Sequence, residues 1–397
     1  MDDRKGGATT IYKLRDDGVK YMRLATVTPY GTVDAKYVPM SEIDAYISGY
    51  GIDPKVIDRT LVGGALPDVT AVPDLATCAE LPAFGFDDIR VASMWCDLYG
   101  MDGNRHPLCV RGGLKTAMEN NLGDGENFIT GSEREYYVRE ADGTIDKNAI
   151  GEQVADPKYR LLLSTMDVLR ANGVPITKAH PENGPAQYEQ VIKHGNALTT
   201  ADNYVTTGII MDAKAAEGGR RVDRSPFMGD DISVNSEHLN MSVLSGDKNL
   251  FANANGVGVS DFGRAFAEGI LDNNGLISAV ANTSENSYRA LAKIAKTLAA
   301  GDSRKDLIRL KNGLIEYRGT DSSMDIYSTL AMMLSAGMMG ARGRVPVDGK
   351  FRRQVVDVPD SVNVLEDAMR SGYSLGLSEE MLNFHIKHRK AEMGVGK

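Results

Sequence analysis

The sequence predicts an α+β fold, in which helices and strands are interleaved along most of its 397 residues. Residues 21–39 form two β-rich runs split by Pro29-Tyr30-Gly31, a pattern typical of a β-hairpin. Farther along, segments with helical periodicity alternate with short β-like runs, without the regular spacing that the βαβ units of a parallel sheet require. These observations favour a mixed α+β architecture over a parallel α/β sheet.

The N-terminal part of the chain predicts a small β domain. Residues 48–88 are rich in glycine, proline and aspartate with little periodicity, which indicates an extended connection rather than packed elements. The apolar run at residues 88–100 then leads towards the larger part of the chain. We place the boundary near residue 110, which gives an N-terminal domain with its connecting segment at 1–109 and a larger domain at 110–397.

Segments beyond this boundary predict helices, because their apolar residues recur every three or four positions. They are residues 113–121, 157–173, 199–219, 260–275 and 324–340. One face of the second collects Tyr159, Leu162, Leu163, Met166 and Leu169, and Gly173 is placed to end that helix. Ser260 and Asp261 predict the cap of the fourth helix, and the Met-rich stripe of the fifth predicts core packing. The β-like runs are residues 126–140 and 306–319.

Composition excludes several classes of protein. A formal net charge of -9 without a long basic block argues against a nucleic-acid partner. No apolar run approaches the roughly 20 residues of a bilayer span, and the opening MDDRKGGATT is polar, so we expect a cytoplasmic protein without a membrane partner. Three widely spaced cysteines predict buried, reduced thiols. A basic run near the C-terminus predicts a solvated helix end, and it comprises His385, Lys387, His388, Arg389 and Lys390.

Scattered acidic residues and one histidine are the first candidates for chemistry. Glu133 and Glu135 lie two apart in a β-like run, so both carboxylates fall on one face. The other candidates are Glu182 and Glu189, which flank Gly184-Pro185, and also His238 and Glu316. Each alone is more typical of a solvated acid or a core histidine. Together in one cavity they would repel unless cations neutralised them, and hard oxygen ligands with one histidine suit two or three Mg²⁺ or Mn²⁺ ions.

Three arginines form a second candidate group. Arg304 and Arg309 are five residues apart, and Arg318 follows Glu316 by two. Guanidinium groups bind phosphate oxygens in a bidentate manner, although alone these arginines are more typical of solvated strand and loop charges. The glycines of GVGVSDFG lack the strand-to-helix context of a nucleotide fingerprint, and the sequence has no Walker A loop.

Taken in order, these segments resemble the glutamine synthetase family over most of the chain. YMRLATVTPYGTVDAKYVP resembles its N-terminal β-grasp hairpin, GSEREYYV its G-x-E-x-E-F/Y strand, and HPENGPAQYE its H-x-E-x-x-P-G-Q-x-E motif. NSEHLNMSVLSGDKNLF is similar to M-H-x-H-x-S-x-x-x-x-G-x-N-x-F, and NTSENSYRAL to N-P-T-x-N-S-Y-K-R-L. SRKDLIRL and LIEYRGTDSSMDIY are similar to R-S-A-x-I-R and I-E-x-R-x-P-D-x-x-x-N-P-Y.

The resemblance implies a β-grasp domain and a catalytic domain built on a curved antiparallel sheet with flanking helices, assembled into hexameric rings and expected as a dodecamer. It implies that Glu135, Glu182 and Glu189 hold one metal ion, and Glu133, His238 and Glu316 the other. Arg304 and Arg309 would bind the ATP phosphates and the acyl-phosphate, with Ser242 and Asn240 at the nucleotide. The positions implied at the substrate are Gln187, Ser233, Arg289 and Arg318.

This sequence departs from the family where the family reads its substrates. The N-G-S-G loop is Ser233-Val234-Asn235-Ser236, and valine does not share the conformational freedom of glycine. The glycine of P-G-Q is Ala186, and the arginine that clamps the substrate carboxylate is Ala290, beside Arg289. Further departures are Asn240 for the second histidine of M-H-x-H and Thr28 or Pro29 for the ammonium-binding aspartate. The glutamate-bearing flap is replaced by residues 293–303, which predict a helix and then a turn.

The ATP and metal positions therefore survive while glutamate and ammonium recognition changes. We predict an ATP-dependent carboxylate–amine ligase that forms an amide through an acyl-phosphate, with an acid or an amine different from glutamate plus ammonia. Three alternatives stay open, namely a non-catalytic scaffold, a metal-dependent small-molecule kinase and an ordinary glutamine synthetase. Retention of all six metal positions argues against the scaffold, because buried carboxylates without a partner are costly.

Overall fold

The computed structural model describes residues 3–58, 68–151, 156–294, 297–343, 351, 355 and 357–394. The chain divides into two compact units, Met1–Gly113 with Asp167–Val174 and Leu114–Met166 with Pro175–Lys397. Among the described helices, none has both the length and the apolar character that crossing a bilayer requires. The assignment of residues 1–109 and 110–397 to two functional domains stays a prediction.

The first unit contains a mixed sheet, and its strands are β1 (Tyr21–Val27), β2 (Val33–Pro39), β3 (Tyr50–Ile52), β4 (Val69–Pro73), β5 (Ala79–Glu80) and β6 (Val91–Tyr99). Their order is β2-β1-β6-β4-β3, with β5 also paired to β6. β1 and β2 pair antiparallel, as the hairpin signal predicts, and β1 runs parallel to β6. The expectation of an extended connection rather than packed elements over residues 48–88 is wrong, because β3, β4 and β5 lie there. Residues 59–67 fall outside the described ranges.

The second unit is built on a large curved sheet. Its strands are β7 (Glu126–Arg139), β8 (Ile176–Pro181), β9 (Gln187–Asn196), β10 (Arg221–Asp223), β11 (Glu237–Ser245), β12 (Lys248–Asn249), β13 (Thr297–Gly301), β14 (Asp306–Lys311) and β15 (Leu314–Thr320). The order is β13-β14-β15-β11-β7-β9-β8, with β10 on β7 and β12 on β11. Within this path β13 and β14 pair parallel, whereas the other pairs are antiparallel. The predicted α+β class is confirmed.

The helices are α1 (Asp3–Asp16), α2 (Val110–Asn121), α3 (Pro157–Ala171), α4 (Ala197–Glu217), α5 (Asp261–Asp272), α6 (Asn274–Ala281), α7 (Glu285–Ile294), α8 (Ile326–Ala341), α9 (Val358–Ser371) and α10 (Glu379–Glu392). The Ser260 side chain accepts a hydrogen bond from the Gly263 amide and caps α5, as predicted. The Met-rich stripe of α8 is buried, which confirms its place in the core. Sequence reasoning did not predict α1, α6, α7 or α9, and of α10 it predicted only the basic end.

Two local predictions are wrong. On α3, Leu163 is 48% exposed, whereas Lys158 and Thr165 share the buried face with Leu162 and Leu169. The segment that replaces the family's flap does not form a helix followed by a turn. Instead α7 ends at Ile294 and β13 begins at Thr297, and the two residues between them lie outside the described part of the chain.

The basic run of α10 also differs from prediction, because two of its members are buried rather than solvated. His385 is 4% exposed and Arg389 is 3% exposed. The Arg389 guanidinium donates hydrogen bonds to the carbonyl oxygens of Thr283 (2.7 Å) and Ala279 (3.2 Å), at the end of α6. Arg389 therefore satisfies terminal carbonyls of a neighbouring helix, which helix ends otherwise leave without partners.

Candidate active site

Strand β7 separates the core from the candidate site. Alternate residues of a strand point to opposite faces, so Tyr136 and Val138 enter an apolar cluster together with Leu162, Tyr188 and Met211. Glu133 and Glu135 occupy the opposite face of β7. The two carboxylates thus share one side of the sheet, and hydrophobic burial on the other side fixes that orientation.

Strand register aligns further polar side chains beside these two glutamates. Glu133 lies directly opposite His238 on β11, and Glu135 lies directly opposite Glu189 on β9. Glu189 in turn faces His180 on β8. Directly opposite residues in an antiparallel pair point to the same face and have neighbouring side chains. Residues distant in sequence therefore form a continuous row across four strands.

Glu316 joins this row through an irregularity between β11 and β15. Glu237 pairs with Thr320 and Leu239 pairs with Tyr317, so β15 has one residue more than β11 over this interval, which defines a β-bulge. Beyond the bulge, Asn240 lies opposite Glu316. The Glu316 carboxylate therefore points to the same face as His238.

His238 stands between two carboxylates. Its Nδ1 lies 3.6 Å from Glu133 Oε2 and 3.9 Å from Glu316 Oε1. Burial opposes the charged imidazolium, but Glu133, Glu135 and Glu316 outweigh it and raise the pKa of His238. The His238 Nε2 atom is buried and makes no hydrogen bond with the described residues.

Positive side chains surround Glu316, which is 1% exposed. Lys311 Nζ contacts its Oε2 and the Arg318 guanidinium contacts its Oε1, while Arg309 lies 3.7 Å from Oε2. Arg309 is the residue opposite Glu316 on β14, and Lys311 follows two residues later on the same face. Burial raises the pKa of Glu316, but Lys311 and His238 outweigh it, so the pKa is lowered.

A second cluster of possible metal ligands lies at the β8–β9 end of the row. Ligand atoms of His180, Glu182 and Glu189 lie within 4.8 Å of one another, and so do those of Glu133, Glu189 and His238. The His180 Nε2 and Lys178 Nζ atoms lie 3.1 Å and 3.3 Å from Glu189 Oε1. Glu189 thus adjoins both groups, whereas the resemblance assigns it to one metal ion.

The pKa values of the two glutamates of β7 are shifted in opposite directions. Burial and the charges of Glu182 and Glu189 raise the pKa of Glu135 to about 7, against the opposing effects of His238 and the Ser236 amide. Burial also raises the pKa of Glu133, but His238, Asn240 and Lys311 outweigh it and lower the value to about 2. Negative charge is therefore already compensated at Glu133 and not at Glu135.

The donor set fits divalent metal ions. Carboxylate oxygens with one imidazole are typical ligands of Mg²⁺ or Mn²⁺. His238 Nε2 is a buried polar atom without a hydrogen-bond partner among the described residues, and the raised pKa of Glu135 indicates uncompensated negative charge. Both features would be relieved by a bound cation.

A cavity of about 380 Å³ adjoins Glu133 on this face of the sheet. Its walls include Asn240 and Ser242 of β11, Lys193 of β9 and Lys311 of β14. Its size and mixed lining are within the range of small-molecule sites. Of the predicted site residues, Glu133, Asn240 and Ser242 line it.

Gln187 anchors the loop before β11 through hydrogen bonds. The Gln187 amide nitrogen donates to Val234 O (2.9 Å) and Asn235 Oδ1 (3.0 Å), and its oxygen accepts from the Gly184 amide (2.8 Å). The Tyr137 hydroxyl donates to Ser233 O at 3.0 Å. Because Gln187 is 2% exposed with its amide occupied, its contacts are those of a loop anchor. Its role at the substrate, like that of Ser233, stays a prediction.

Backbone conformation explains one of the substitutions and shows that another is strained. Val234 does not have a positive φ, so the loop tolerates valine in place of glycine. Ala186, by contrast, has φ of +57°, a left-handed conformation that favours glycine. The strain at Ala186 lies in the turn between Glu182 and Glu189, where the Glu182 amide donates to Gln187 O at 2.8 Å.

The structure does not bring every predicted residue to this group. Arg304 is exposed in the turn between β13 and β14. Arg289 is 57% exposed on α7, where it pairs with Glu285 at 2.6 Å. Among the described residues, no ion pair or hydrogen bond joins either arginine to the carboxylates. Their predicted roles stay predictions.

Three residues of the group were missed from the sequence: Lys178, His180 and Lys311. His180 is the first residue of the HPENGPAQYE motif, so its spacing from Glu182 was a usable signal. Lys311 follows Arg309 by two on a predicted strand, which places both on one face. Lys178 gave no distinguishing signal.

Comparisons with known proteins identify the family to which the chain belongs. A family model described as the catalytic domain of glutamine synthetase matches residues 107–371. Fold and match together define an ATP-dependent ligase. The match spans more than half of the 397 residues, and the chain belongs to the glutamine synthetase family. Members of this family use ATP and divalent metal ions, act on small molecules and are oligomeric.

Individual relatives are distant. The chain is 24% identical to a glutamine synthetase of Mycobacterium bovis, over 99% of this chain and 96% of the relative. It is 27% identical to one of Thermotoga maritima, over 88% and 85% of the two chains. A solved structure of a GmaS complex with ADP superposes with a TM-score of 0.82 at 21% identity, covering 97% of this chain and 95% of that chain. The Plasmodium falciparum glutamine synthetase gives a TM-score of 0.83 at 17% identity, covering 98% and 96%.

Proposed function

We propose that this protein forms an amide bond between a carboxylic acid and an amine through an acyl-phosphate, with an acid or an amine different from glutamate plus ammonia. The observation that supports this is the row of Glu133, Glu135, Glu189 and His238, joined by Glu316, beside a cavity of about 380 Å³. These side chains would hold the metal ions that phosphoryl transfer requires. Apart from Asn240, the positions that depart from the family are those at which the family recognises its substrates.

Divalent ions, Mg²⁺ or Mn²⁺, would supply charge neutralisation for the phosphate oxygens of ATP. Glu135, Glu182 and Glu189 would hold one ion, and Glu133, His238 and Glu316 the other. The cavity beside Glu133 would hold the nucleotide, with Asn240 and Ser242 in its wall. The ADP in the related GmaS structure is consistent with a nucleotide site on this fold.

The arginines would act on the transferred phosphoryl group. Arg309 already faces the carboxylate row from β14 and would bind phosphate oxygens from there. Arg304 lies in the exposed turn that precedes β14, and would reach the phosphates from that turn. Fixed guanidinium groups stabilise charge that develops during transfer, and such stabilisation lowers the barrier more than any other single effect in this kind of catalysis. Arg318, in contact with Glu316, and Arg289 would contribute to the acid-binding side.

Changed recognition residues support an altered substrate. Ala290 takes the position of the carboxylate-clamping arginine. Its side chain is an uncharged methyl group and is 1% exposed, so it cannot bind a carboxylate. Arg289 beside it is exposed and pairs with Glu285. An acid substrate without an α-carboxylate would need no clamp here. We further propose assembly into hexameric rings, and a cytoplasmic location stays a prediction.

The test is ADP release with Mg²⁺, ATP and pairs of candidate acids and amines. We expect one pair to raise ADP formation above the background without acceptor, and the product to be an amide. A phosphorylated acid that persists in the presence of amines would instead identify a kinase. Highest activity with glutamate and ammonia would identify an ordinary glutamine synthetase. Absence of stimulation by every pair, with normal Mn²⁺ binding, would refute the ligase proposal in favour of a scaffold.

A further inference from the structure

Lys293, in the last turn of α7, contacts a loop of the second unit in four ways. Its Nζ donates hydrogen bonds to Asp230 O at 3.0 Å and to Gly229 O at 3.5 Å, and it pairs with Asp230 Oδ1 at 3.1 Å. The same nitrogen lies 4.9 Å from the ring centroid of Phe227. We call residues 226–232 the Phe227 loop. One side chain of α7 thus contacts the backbone, a carboxylate and an aromatic ring of this loop.

The ion pair is the weakest of these contacts. The Asp230 side chain is 89% exposed, and exposed ion pairs contribute little because water screens them. A charged donor to a carbonyl oxygen and a cation close to an aromatic ring depend less on that carboxylate. The Arg289 guanidinium also lies 5.8 Å from the Phe227 ring centroid. Helix α7 therefore holds the Phe227 loop chiefly through its backbone and its aromatic ring.

The far end of the Phe227 loop adjoins the carboxylate row. The Asn235 amide donates to Pro226 O at 3.0 Å, which brings the start of the loop next to the residues that follow it. The next amide, that of Ser236, donates to Glu135 Oε2 at 2.7 Å. Residues 226–236 therefore form a closed loop whose base contacts a proposed metal ligand and whose tip contacts α7.

Both ends of this connection lie where the chain departs from its family. Ser233, between the tip and the base, is the first residue of the segment that replaces the N-G-S-G loop. Lys293 is the first residue of the segment that replaces the glutamate-bearing flap. The contact between α7 and the Phe227 loop thus joins two altered segments, and both belong to substrate recognition in the family.

We propose that Lys293 is a positioning residue for the acid substrate, which holds the Phe227 loop against α7 and so keeps Ser233 in the conformation that binds the acid. The inference rests on the proposed function. Without this contact the loop would sample other conformations, and the acid would bind only the molecules in which the loop is in place. Among the described residues, no hydrogen bond or ion pair joins Lys293 to the carboxylate row, and it does not line the cavity beside Glu133. ATP binding should therefore not depend on it.

Hydrogen exchange followed by mass spectrometry reports on the loop without any substrate. In the unliganded protein the amides of Asn235 and Ser236 are hydrogen-bonded to Pro226 O and to Glu135. We expect Lys293→Met to speed their exchange by at least about fivefold, because release of the tip allows the base to open more often. The methionine keeps an unbranched side chain but has neither the charge nor the donor.

Steady-state kinetics then test the role at the substrate, with the acid and amine that give the fastest ADP release. We expect Lys293→Met to raise the acid KM by at least about tenfold, as follows when the loop is in place in about a tenth of the molecules. The ATP KM and kcat should stay within about twofold, because the bound acid selects the same loop conformation. Lys293→Arg keeps the charge and the donors and should retain the original acid KM within about threefold.

The matched control is Lys390→Met. Lys390 is 40% exposed, against 34% for Lys293, and it pairs with Glu366 at 2.8 Å between α10 and α9. Its replacement removes an ion pair of similar exposure, and it should change neither the exchange of the loop amides nor the acid KM.

An unchanged acid KM in Lys293→Met would overturn the inference even if exchange were faster, since the contact would then serve folding alone. A raised acid KM with unchanged exchange would also overturn it, because Lys293 would then attract the acid directly through its charge. Both results leave the proposed ligase activity intact. Absence of ADP release by the unmodified protein with every acid and amine would instead refute the proposed function, and this inference with it.

Discussion

Glu133 and Glu135 are two residues apart on one strand, yet their neighbours drive their pKa values in opposite directions. Both carboxylates are desolvated, and His238 with Asn240 overcomes this at Glu133, whereas Glu182 and Glu189 add to it at Glu135. At neutral pH Glu133 is thus charged and Glu135 is only partly ionised. Cation binding would draw Glu135 into its charged form.

Replacement of Glu133 by glutamine tests its assignment as a ligand. Glu133→Gln keeps the shape of the side chain and the contact with Asn240 but removes the charge beside His238. We expect Mn²⁺ binding to weaken and ADP formation to fall by at least about 100-fold. Glu217→Gln is the control, because Glu217 is 63% exposed at the end of α4 and should change neither quantity. Equal activity of both variants would exclude Glu133 from the site.

At this scale the sequence predicted the acids better than the cations. The E-x-E spacing on a strand implies that Glu133 and Glu135 share a face, and β7 has that arrangement. Lys311 was missed because a lysine at a strand end is ordinarily a solvated charge. Only the pairing of β14 with β15 places it beside Glu316. Register between distant strands is not encoded in local spacing.

Strands β7 and β11 are also joined on the side away from the carboxylate row. Arg134 and Glu237 form an ion pair at 3.0 Å, and both are at most 2% exposed. The Arg134 guanidinium lies 3.8 Å from the ring centroid of Tyr204, and the Ser322 hydroxyl donates to Glu237. The pair therefore ties α4 and the segment after β15 to the sheet.

Removal of one partner leaves the other charge buried. We expect Glu237→Ala to lower the free energy of unfolding by about 3–5 kcal/mol, because Arg134 would lose its counter-ion in a dry environment. Urea denaturation followed by circular dichroism measures the change. Glu217→Ala breaks an exposed pair with Lys214 and should cost less than about 1 kcal/mol. Similar losses for the two variants would contradict a stabilising role for the buried pair.

Helix α10 is anchored to α6 by Arg389. We expect Arg389→Met, which retains most of the aliphatic stem, to lower the free energy of unfolding by about 3 kcal/mol, since carbonyl oxygens at the end of α6 lose a charged donor. Arg370→Met on α9 is the control, because that side chain is 65% exposed. Its effect should remain within about 0.5 kcal/mol. A loss at Arg389 no larger than at Arg370 would show that solvent satisfies those carbonyls.

Element prediction succeeded where periodicity was long and failed where tertiary contacts decide. The hairpin β1–β2 and the helices α4, α5 and α8 follow local signals. Because the sequence of α10 is rich in charged residues, we predicted that His385 and Arg389 lie at a solvated helix end. Their burial depends on the position of α6, which the local pattern of α10 does not contain. β4 was overlooked because only a short alternation, bounded by proline and aspartate, marks it.

We expect the free energy of unfolding of the whole molecule to decrease in mild acid, because His385 is buried in its neutral form. Burial, together with the positive charges of Arg389 and His388, lowers the pKa of this imidazole to about 3. In the unfolded chain His385 binds a proton near pH 6.5, whereas in the folded chain it stays neutral at that pH. Stability attributable to His385 is therefore complete above about pH 6.5 and decreases as the pH falls towards 3, by up to about 1.4 kcal/mol per unit.

Replacement of His385 isolates this effect from other acid-sensitive groups. We expect His385→Leu to show a smaller decrease in urea midpoint between pH 7 and about 5 than the unmodified protein, because leucine has no proton to gain. His194→Gln is the control, since His194 is exposed, and it should retain the original pH dependence. Parallel pH profiles for all three proteins would show that His385 does not titrate between these limits.

Assembly is the prediction at this scale that depends most on family membership. We expect light scattering to give a mass equal to six chains or a multiple of six. The sequence indicated this only through resemblance, because no local pattern specifies a ring. The large sheet was likewise predicted in class but not in strand order, since β11 pairs with β7 and β15 across long separations in sequence. A monomer of full activity would contradict the proposed assembly.

The extra residue of β15 opposite β11 decides which side chains of that strand face the carboxylate row and which face the interior. With strict two-residue alternation and no insertion, Tyr317 would occupy the place of Glu316 opposite Asn240, and the carboxylate would face the interior. In the folded protein Tyr317 is fully buried and donates to Asn274 instead. The position of Glu316 in the proposed metal site therefore depends on this one extra residue. Inserting one glycine between Glu316 and Tyr317, with Leu239 still opposite Tyr317, should move Glu316 opposite Met241 and turn its carboxylate away from His238, and weaker Mn²⁺ binding would report the loss.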